Sequence, residues 1–381
     1  MVAARALGGS GRARAAAAPA PVPRYDFAIG VPDLSAFPRR AWLAAGARGM
    51  RELPDTRLGY GDTRGALELR EALAAYLGRA RGVVADADRV LVTGGTRQAL
   101  GVVWRALGEH GARRVAIEDP GWAPQRQTAL DAGLEAVPVP VDRDGMRVER
   151  LAGLDVDAVV LTPAHQFPAG AVLSPPRRAA LLQWARDGDA IVVEDDYDAE
   201  YRYDRDPVGA LQGMAPERVV YAGSASKTLA PAIRLGWLVL PPALTDAVER
   251  GQARAGTGAA LLDQLALTSF IAGGELDRHL RRTRRRYRHR RDALLAAVES
   301  RLAGSEVEGI AAGLHAVVRL PHGSDERATV LAARERGIAL DGLAAFRHKQ
   351  AGGPASLVLG YANLPEAAIT RAIAELARAL R

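Results

Sequence analysis

Of the 51 basic side chains in this sequence two are lysines, Lys227 and Lys349, leaving 49 arginines. A chain so biased has used arginine wherever a generic cation would serve. A lysine kept against that bias points to a use for its amine, which can lose a proton and condense with a carbonyl where a guanidinium cannot. Lys349 sits in the polar loop RHKQAGG, where an ordinary surface role is enough. Lys227 sits in GSASKTLAPAIRLGW, with Ser224 and Ser226 just before it and Arg234 seven residues beyond. Those hydroxyls and that guanidinium suit a phosphate, although the segment by itself reads equally well as an ordinary loop.

Three more clusters carry side chains that fit the same chemistry. The apolar run opening AIVVEDD leads into Asp195, a carboxylate at the end of a buried strand and suited to a cationic partner. Tyr197 follows two residues on, facing the same side if the extended geometry continues; taken alone, EDDYD reads more readily as an acidic loop or helix start. The turn TGGTRQ precedes a helix, whose free amides and dipole favour a phosphate, with Gly95, Thr96 and Arg97 as donors. Trp122, in EDPGW, offers a flat face for stacking, although a single tryptophan is more often simply core. Each cluster is weak on its own. Their conjunction supplies an amine, an acid to hold a ring nitrogen protonated, a phenol, an anion pocket and a flat group, which are the requirements of pyridoxal 5′-phosphate (PLP).

For these residues to meet, the fold must bring several strand ends together. At 381 residues and 48% hydrophobic, the chain can bury the core of one two-lobed unit or of two closely packed domains. The pattern predicts a helix over 67–77, a strand over 90–92 and a helix over 98–107. Strands follow at RVAIEDP, at LEAVPVPV with its prolines as interruptions, at DAVVLTP and at AIVVEDD, with the helix RRAALLQWAR between the last two. RVVYAG and RLGWLVL flank the SASK segment. This rhythm argues an α/β fold with a mostly parallel sheet covered by helices on both faces, its ligand site at the carboxyl ends of the strands. From about residue 241 the pattern turns helix-rich, then becomes a smaller α+β region with strands near 315–320 and 357–359. The expected divisions are a disordered Ala/Arg/Pro-rich tail or linker remnant over 1–24 and an N-terminal segment over 25–54 that packs on the small domain. A large cofactor-binding domain would cover 55–245, and an interdomain helix with a small C-terminal domain 246–381.

Composition excludes several classes. With no cysteine there are no disulfides, thiolate metal sites or cysteine nucleophiles. No apolar run approaches the ~20 residues that span a bilayer, and the N-terminus lacks the apolar stretch of a secretory signal. The absence of cysteine fits a reducing cytoplasm, although by itself it permits any compartment. A net charge of +7 invites a nucleic-acid reading. Nine arginines, however, crowd into RHLRRTRRRYRHRR (278–291), which reads first as one long helix with a highly solvated face and only second as an anion or nucleic-acid contact.

The segments YDFAIGVPDLSAFP, LGYGDTRGALELREALAAYLGRARGV, EDPGW, TPAHQFPAG, VVEDDYDAEYRYDRDPVGALQG, GSASKTLAPAIRLGWLVLPPAL, HLRRTRRRYRHRRDAL and LVLGYANLPE resemble fold type I PLP enzymes. More narrowly, they resemble the aminotransferase-like domain of the MocR subgroup of GntR-family transcriptional regulators, over about residues 25–381. The resemblance implies that Lys227 holds the cofactor as a Schiff base, that Asp195 pairs with its pyridine nitrogen, and that Trp122 stacks on the ring. Tyr197 and the pair His165–Gln166 would lie near the phenolic oxygen. Ser224, Ser226, Arg234, Thr96 and Arg97 would hold the phosphate, and Tyr60 would reach the phosphate of a neighbouring subunit in a homodimer.

The sequence departs from that pattern twice. Regulators of this subgroup begin with a winged helix-turn-helix domain, and nothing before Tyr25 reads as one, so a DNA partner of the kind those regulators bind requires such a domain upstream. Ordinary α-transaminases of this fold place an arginine near the C-terminus to clamp the substrate carboxylate; SLVLGYANL offers Val358 there, which cannot make that contact. Two functions follow. One is a transaminase-type protein that joins its cofactor to an amine or amino acid. The other is an effector sensor in which the same binding shifts a dimer's conformation with little or no turnover.

Overall fold

Short runs of Val, Ile, Leu and Ala alternate with amphipathic segments, and the folded chain stacks the runs side by side. The structure, a computed structural model, describes residues 22–203, 208–256, 258–348 and 352–380. Lys349 and nearly all of the Ala/Arg/Pro-rich stretch lie outside the described residues. Across the main sheet the strands run Val90–Thr93, Gly236–Val239, Val219–Ser224, Ile191–Asp196, Ala158–Leu161, Arg114–Asp119, Glu135–Asp142 and Gly145–Met146. Neighbours from Val219–Ser224 to Glu135–Asp142 are parallel. Gly236–Val239 runs against both of its neighbours, and Gly145–Met146 folds back on the far edge.

Helices cover both faces, so the central strands are buried on two sides and read as continuous apolar runs rather than alternating ones. Val193, Val115 and Leu238 pack with Leu100, Val103 and Trp104 of the helix Thr96–Glu109 on one face. Val192, Val159 and Ala116 pack with Leu181 and Leu182 of the helix Pro175–Asp187 on the other. The helix Leu67–Arg81 is tied to the sheet by a buried ion pair. Arg81 Nε lies 2.7 Å from Asp196 Oδ2, which also accepts from Tyr221 Oη at 2.6 Å. Removing one partner would leave a buried charge alone, at a cost of about 3–5 kcal/mol.

One expectation changes. Glu135–Asp142 is a single strand rather than one interrupted by Pro138 and Pro140. It bonds along its length to Arg114–Asp119 and on its other side only to the two-residue Gly145–Met146, so prolines two apart lose their N–H groups along an almost open edge.

The C-terminal region has its own antiparallel sheet, ordered Glu306–Glu308, His315–Arg319, Ser356–Gly360 and Asp341–Gly342. Tyr25–Asp26, near the start of the described chain, pairs in parallel with Ile338–Ala339 and so crosses back to this region. The helix Glu275–Arg301 buries Leu276, Leu280, Thr283, Tyr287 and Leu294, a stripe at three- and four-residue spacing. The whole is an α/β large domain with a smaller α+β part, as the sequence pattern predicts. No helix among the described residues is long and apolar enough to cross a membrane.

Candidate active site

Because the strands are parallel, their carboxyl ends share one edge of the sheet, and the polar clusters that follow them converge there. Ser224 ends one strand and Lys227 follows it, Asp195 is the second-last residue of the next, Thr162 follows the third, Trp122 the fourth, and Thr96 and Arg97 follow Val90–Thr93. All of these residues, with Tyr197, Ser226 and Arg234, line one cleft of about 200 Å³.

Lys227 Nζ donates to the carbonyl of Gly30 at 2.7 Å. Gly30 has φ +71°, and a Cβ there would lie 2.8 Å from that nitrogen, so a side chain at this position would displace the amine. Burial lowers the Lys227 pKa, with Asp198 and Asp195 opposing. Loss of a proton is thereby eased, which is what a condensing amine needs.

Asp195 is buried. Its Oδ2 accepts from Gln125 Nε2 at 2.8 Å, while Oδ1 is buried with no hydrogen-bond partner. Burial pushes its pKa up to about 7, against the pull of the Gln125 hydrogen bond. An unpaired buried carboxylate oxygen is costly, and a cationic N–H is what would relieve it.

Tyr197 lies beside Asp195, just past the end of its strand. Its phenol oxygen is 3.0 Å from His165 Nδ1, which is also 3.0 Å from Asp198 Oδ2. A carboxylate only accepts, so Nδ1 carries its hydrogen toward Asp198, and the phenol's own hydrogen is not taken by the imidazole. Burial holds the Tyr197 pKa well above its ordinary value, so the phenol stays protonated.

His165 and Gln166 stand behind the cleft and do not line it. His165 reaches it through Tyr197. Gln166 spends its amide on the backbone: Nε2 donates to the carbonyls of Pro120 at 2.9 Å and Phe167 at 2.7 Å, and Oε1 accepts from Ala169 N at 2.9 Å. It braces the loop, and Phe167 forms the wall instead.

At the other end of the cleft the helix Thr96–Glu109 begins at Gly95 with no side-chain cap, so its first amides are open to a ligand. Gly95 has φ +110°, and a Cβ there would meet the Arg234 guanidinium at 3.1 Å. Arg234 is itself left-handed at φ +54°, a conformation that costs a non-glycine residue about 1–2 kcal/mol. A positive-φ glycine and a strained arginine thus set a guanidinium against a helix N-terminus beside Ser224 and Ser226. Such an arrangement suits a phosphate.

Tyr60 is elsewhere. It is fully exposed, on a separate depression of about 530 Å³ that includes Arg57, Asp62 and Gln264. Val358 is buried in the strand Ser356–Gly360, packed with Val317 and Leu343, and Ile29 and Phe346 rest on that cluster. Ile29 in turn lines the cleft, and Phe346 sits edge-on to Phe167 with centroids 5.5 Å apart.

Sequence reasoning missed Gln125, Thr162, Phe167, Ile29 and the Gly30 carbonyl. Gln125 carried a faint signal, one helical turn after Trp122. Gly30 carried none, since it meets Lys227 across 197 residues of chain.

Comparison with known proteins agrees with this geometry. Residues 25–376 match the family described as aminotransferase class I and II. A probable rhizopine catabolism regulatory protein, MocR, of Rhizobium meliloti is 35% identical over 344 residues, 90% of this chain and 69% of its own. Aromatic-amino-acid aminotransferase 1 of Thermococcus litoralis is 30% identical, covering 85% of this chain and 80% of its own. A kynurenine aminotransferase of Pyrococcus horikoshii, solved with PMP (the amine form of the cofactor), superposes with a TM-score of 0.84 at 29% identity, over 93% of this chain and 90% of that one. The chain therefore belongs to the aminotransferase class I and II family, with the fold type I architecture and PLP as its cofactor.

Proposed function

We propose that the cleft binds PLP through Lys227 and presents it to an amine or amino acid for transaminase-type chemistry. The observation that carries this reading is the buried, partnerless Asp195 Oδ1 in the same cleft as the Lys227 amine. Fit at both ends supports it: an orphaned acceptor suits a pyridinium N–H, and the Gly95–Arg234 cradle suits a phosphate.

When bound, the cofactor supplies an aldehyde that condenses with primary amines and a protonated ring that draws electrons from the carbon bearing the nitrogen. Around it, each residue has a task. Asp195, held by Gln125, keeps the ring nitrogen charged. The Tyr197 phenol, set by His165 and Asp198, donates to the ring oxygen. Trp122 stacks on the ring, while Ser224, Ser226, Arg234 and the amides of Gly95, Thr96 and Arg97 bind the phosphate. Lys227 would hold the cofactor through its amine, and its depressed pKa would suit that amine to act as a general base toward a bound ligand. The large and small domains take boundaries near 55 and 245, the working unit is a homodimer in which Tyr60 reaches the neighbouring phosphate, and the compartment is the cytoplasm.

The test is spectroscopic. Purified protein supplied with PLP should absorb in the visible, and borohydride should abolish that band while fixing the cofactor to the chain. Lys227→Ala should show no such reducible adduct. Retention of the adduct by the variant refutes the assignment.

A second reading has its own support, since several curated relatives bear the names of transcriptional regulators. In that reading the amine is an effector, and binding shifts a conformational equilibrium instead of yielding product. Product formation from an amine donor and a keto acid separates the two.

A further inference from the structure

The helix Glu275–Arg301 has two unlike faces. Its core side is mounted on the loops of the cleft: His279 Nε2 donates to the carbonyl of Thr228, next to Lys227, at 2.8 Å. Tyr287 Oη accepts from Asp33 N at 2.9 Å, and Arg290 pairs with the same aspartate at 2.9 Å. The solvent side carries Arg281, Arg282, Arg285 and Arg288, all exposed.

Other arginines of this helix have partners. Arg278 pairs with Glu275, Arg286 with Asp33, and Arg284 donates to the Glu200 carbonyl. The four on the solvent face have no carboxylate within 4.0 Å among the described residues. Arg285 stands three or four residues from each of the other three, and Arg288 seven from Arg281, so the four share one broad face, a like-charge arrangement that is mildly unfavourable to the helix itself. An external anion would reverse that sign. The stripe puts four fixed cations along about 10 Å of helix, where a duplex presents one phosphate charge per ~1.7 Å of axis. A membrane surface fits less well, because the apolar face that such a helix would insert is already committed to the core.

We propose that this arginine stripe is a contact surface for the phosphodiester backbone of double-stranded nucleic acid. The proposal is independent of the chemistry assigned to the cleft. It predicts binding that is insensitive to sequence and steeply dependent on salt.

The experiment is fluorescence anisotropy of the full chain with a labelled, arbitrary 20-base-pair duplex at 50 and 200 mM salt. Contact through four arginines gives a log–log slope of about −3.6, so affinity should fall about 150-fold between those two conditions. The variant Arg281→Gln/Arg282→Gln/Arg285→Gln/Arg288→Gln should lose that slope and bind at least about tenfold more weakly at 50 mM. A control that removes the same charge elsewhere, Arg113→Gln/Arg143→Gln/Arg150→Gln/Arg327→Gln, should keep both. The milder Arg281→Gln/Arg285→Gln should lose about half the slope, which guards against a folding defect in the fourfold variant. The proposal is overturned if the wild type does not bind the duplex, if stripe and control variants weaken alike, or if the protein sediments with phosphatidylserine vesicles while leaving the duplex free.

Discussion

Replacing Asp195 with asparagine tests the electrostatic core of the site, because the cofactor-free protein holds this carboxyl in conflict. Its pKa stands near 7 in the fold against an ordinary 3.8. The folded state therefore keeps the proton longer than the unfolded chain does, so the contribution to stability is present below about pH 4 and is lost as pH rises to about 7. Roughly three pKa units correspond to about 4 kcal/mol over that window. With an unfolding entropy of about 2.1 cal/mol/K per residue over 381 residues, this is about 5 °C in Tm. Asparagine retains an acceptor for Gln125 but carries no titrating group. In thermal melts of cofactor-free protein, Asp195→Asn should gain on the wild type progressively between pH 4 and pH 7. Glu194, also raised to about 7 but with no contribution from Asp195, cancels because both proteins carry it, whereas Glu118, which the Asp195 charge helps to raise, shifts down in the variant and adds to the same trend. Loading with PLP should reverse the order at pH 8, because a pyridinium beside Asp195 Oδ1 stabilises the carboxylate and can do nothing comparable for the amide. A Tm difference that is flat with pH in the cofactor-free pair refutes the reasoning, since Asp195 would then titrate as an ordinary surface acid.

Two further outcomes follow from the geometry. Gly95→Ala should weaken PLP by about 1–3 kcal/mol, 5- to 150-fold, through its left-handed φ and the clash with Arg234; cofactor fluorescence titration reads this, and unchanged affinity would remove Gly95 from the phosphate site. Mixing Lys227→Ala with Tyr60→Phe subunits should regenerate one fully competent site per hybrid dimer if Tyr60 serves the neighbouring copy. Titration of the tight PLP sites against the unmixed proteins checks this, and no recovery would assign Tyr60 to its own subunit or to neither.

The sequence by itself determined the chemistry more than the architecture around it. An arginine-saturated composition singled out Lys227, and apolar runs ending in polar residues located Asp195, Tyr197, Trp122 and the Gly95–Arg97 turn, because a parallel sheet buried on both faces writes its strands as unbroken apolar runs. The long helix at 275–301 was equally legible, as its arginines sit on a period that leaves a clear apolar stripe. Tertiary structure decided what depends on contacts between distant segments. It showed Gly30 to be the acceptor for Lys227 and Gln125 to be the donor to Asp195. It turned Gln166 toward the backbone and Phe167 toward the cleft, and it let Glu135–Asp142 run straight through its prolines. Local pattern records which face of an element is buried. Which oxygen, amide or edge it meets there is fixed by register and packing between segments, and these leave no trace in the spacing of residues along the chain.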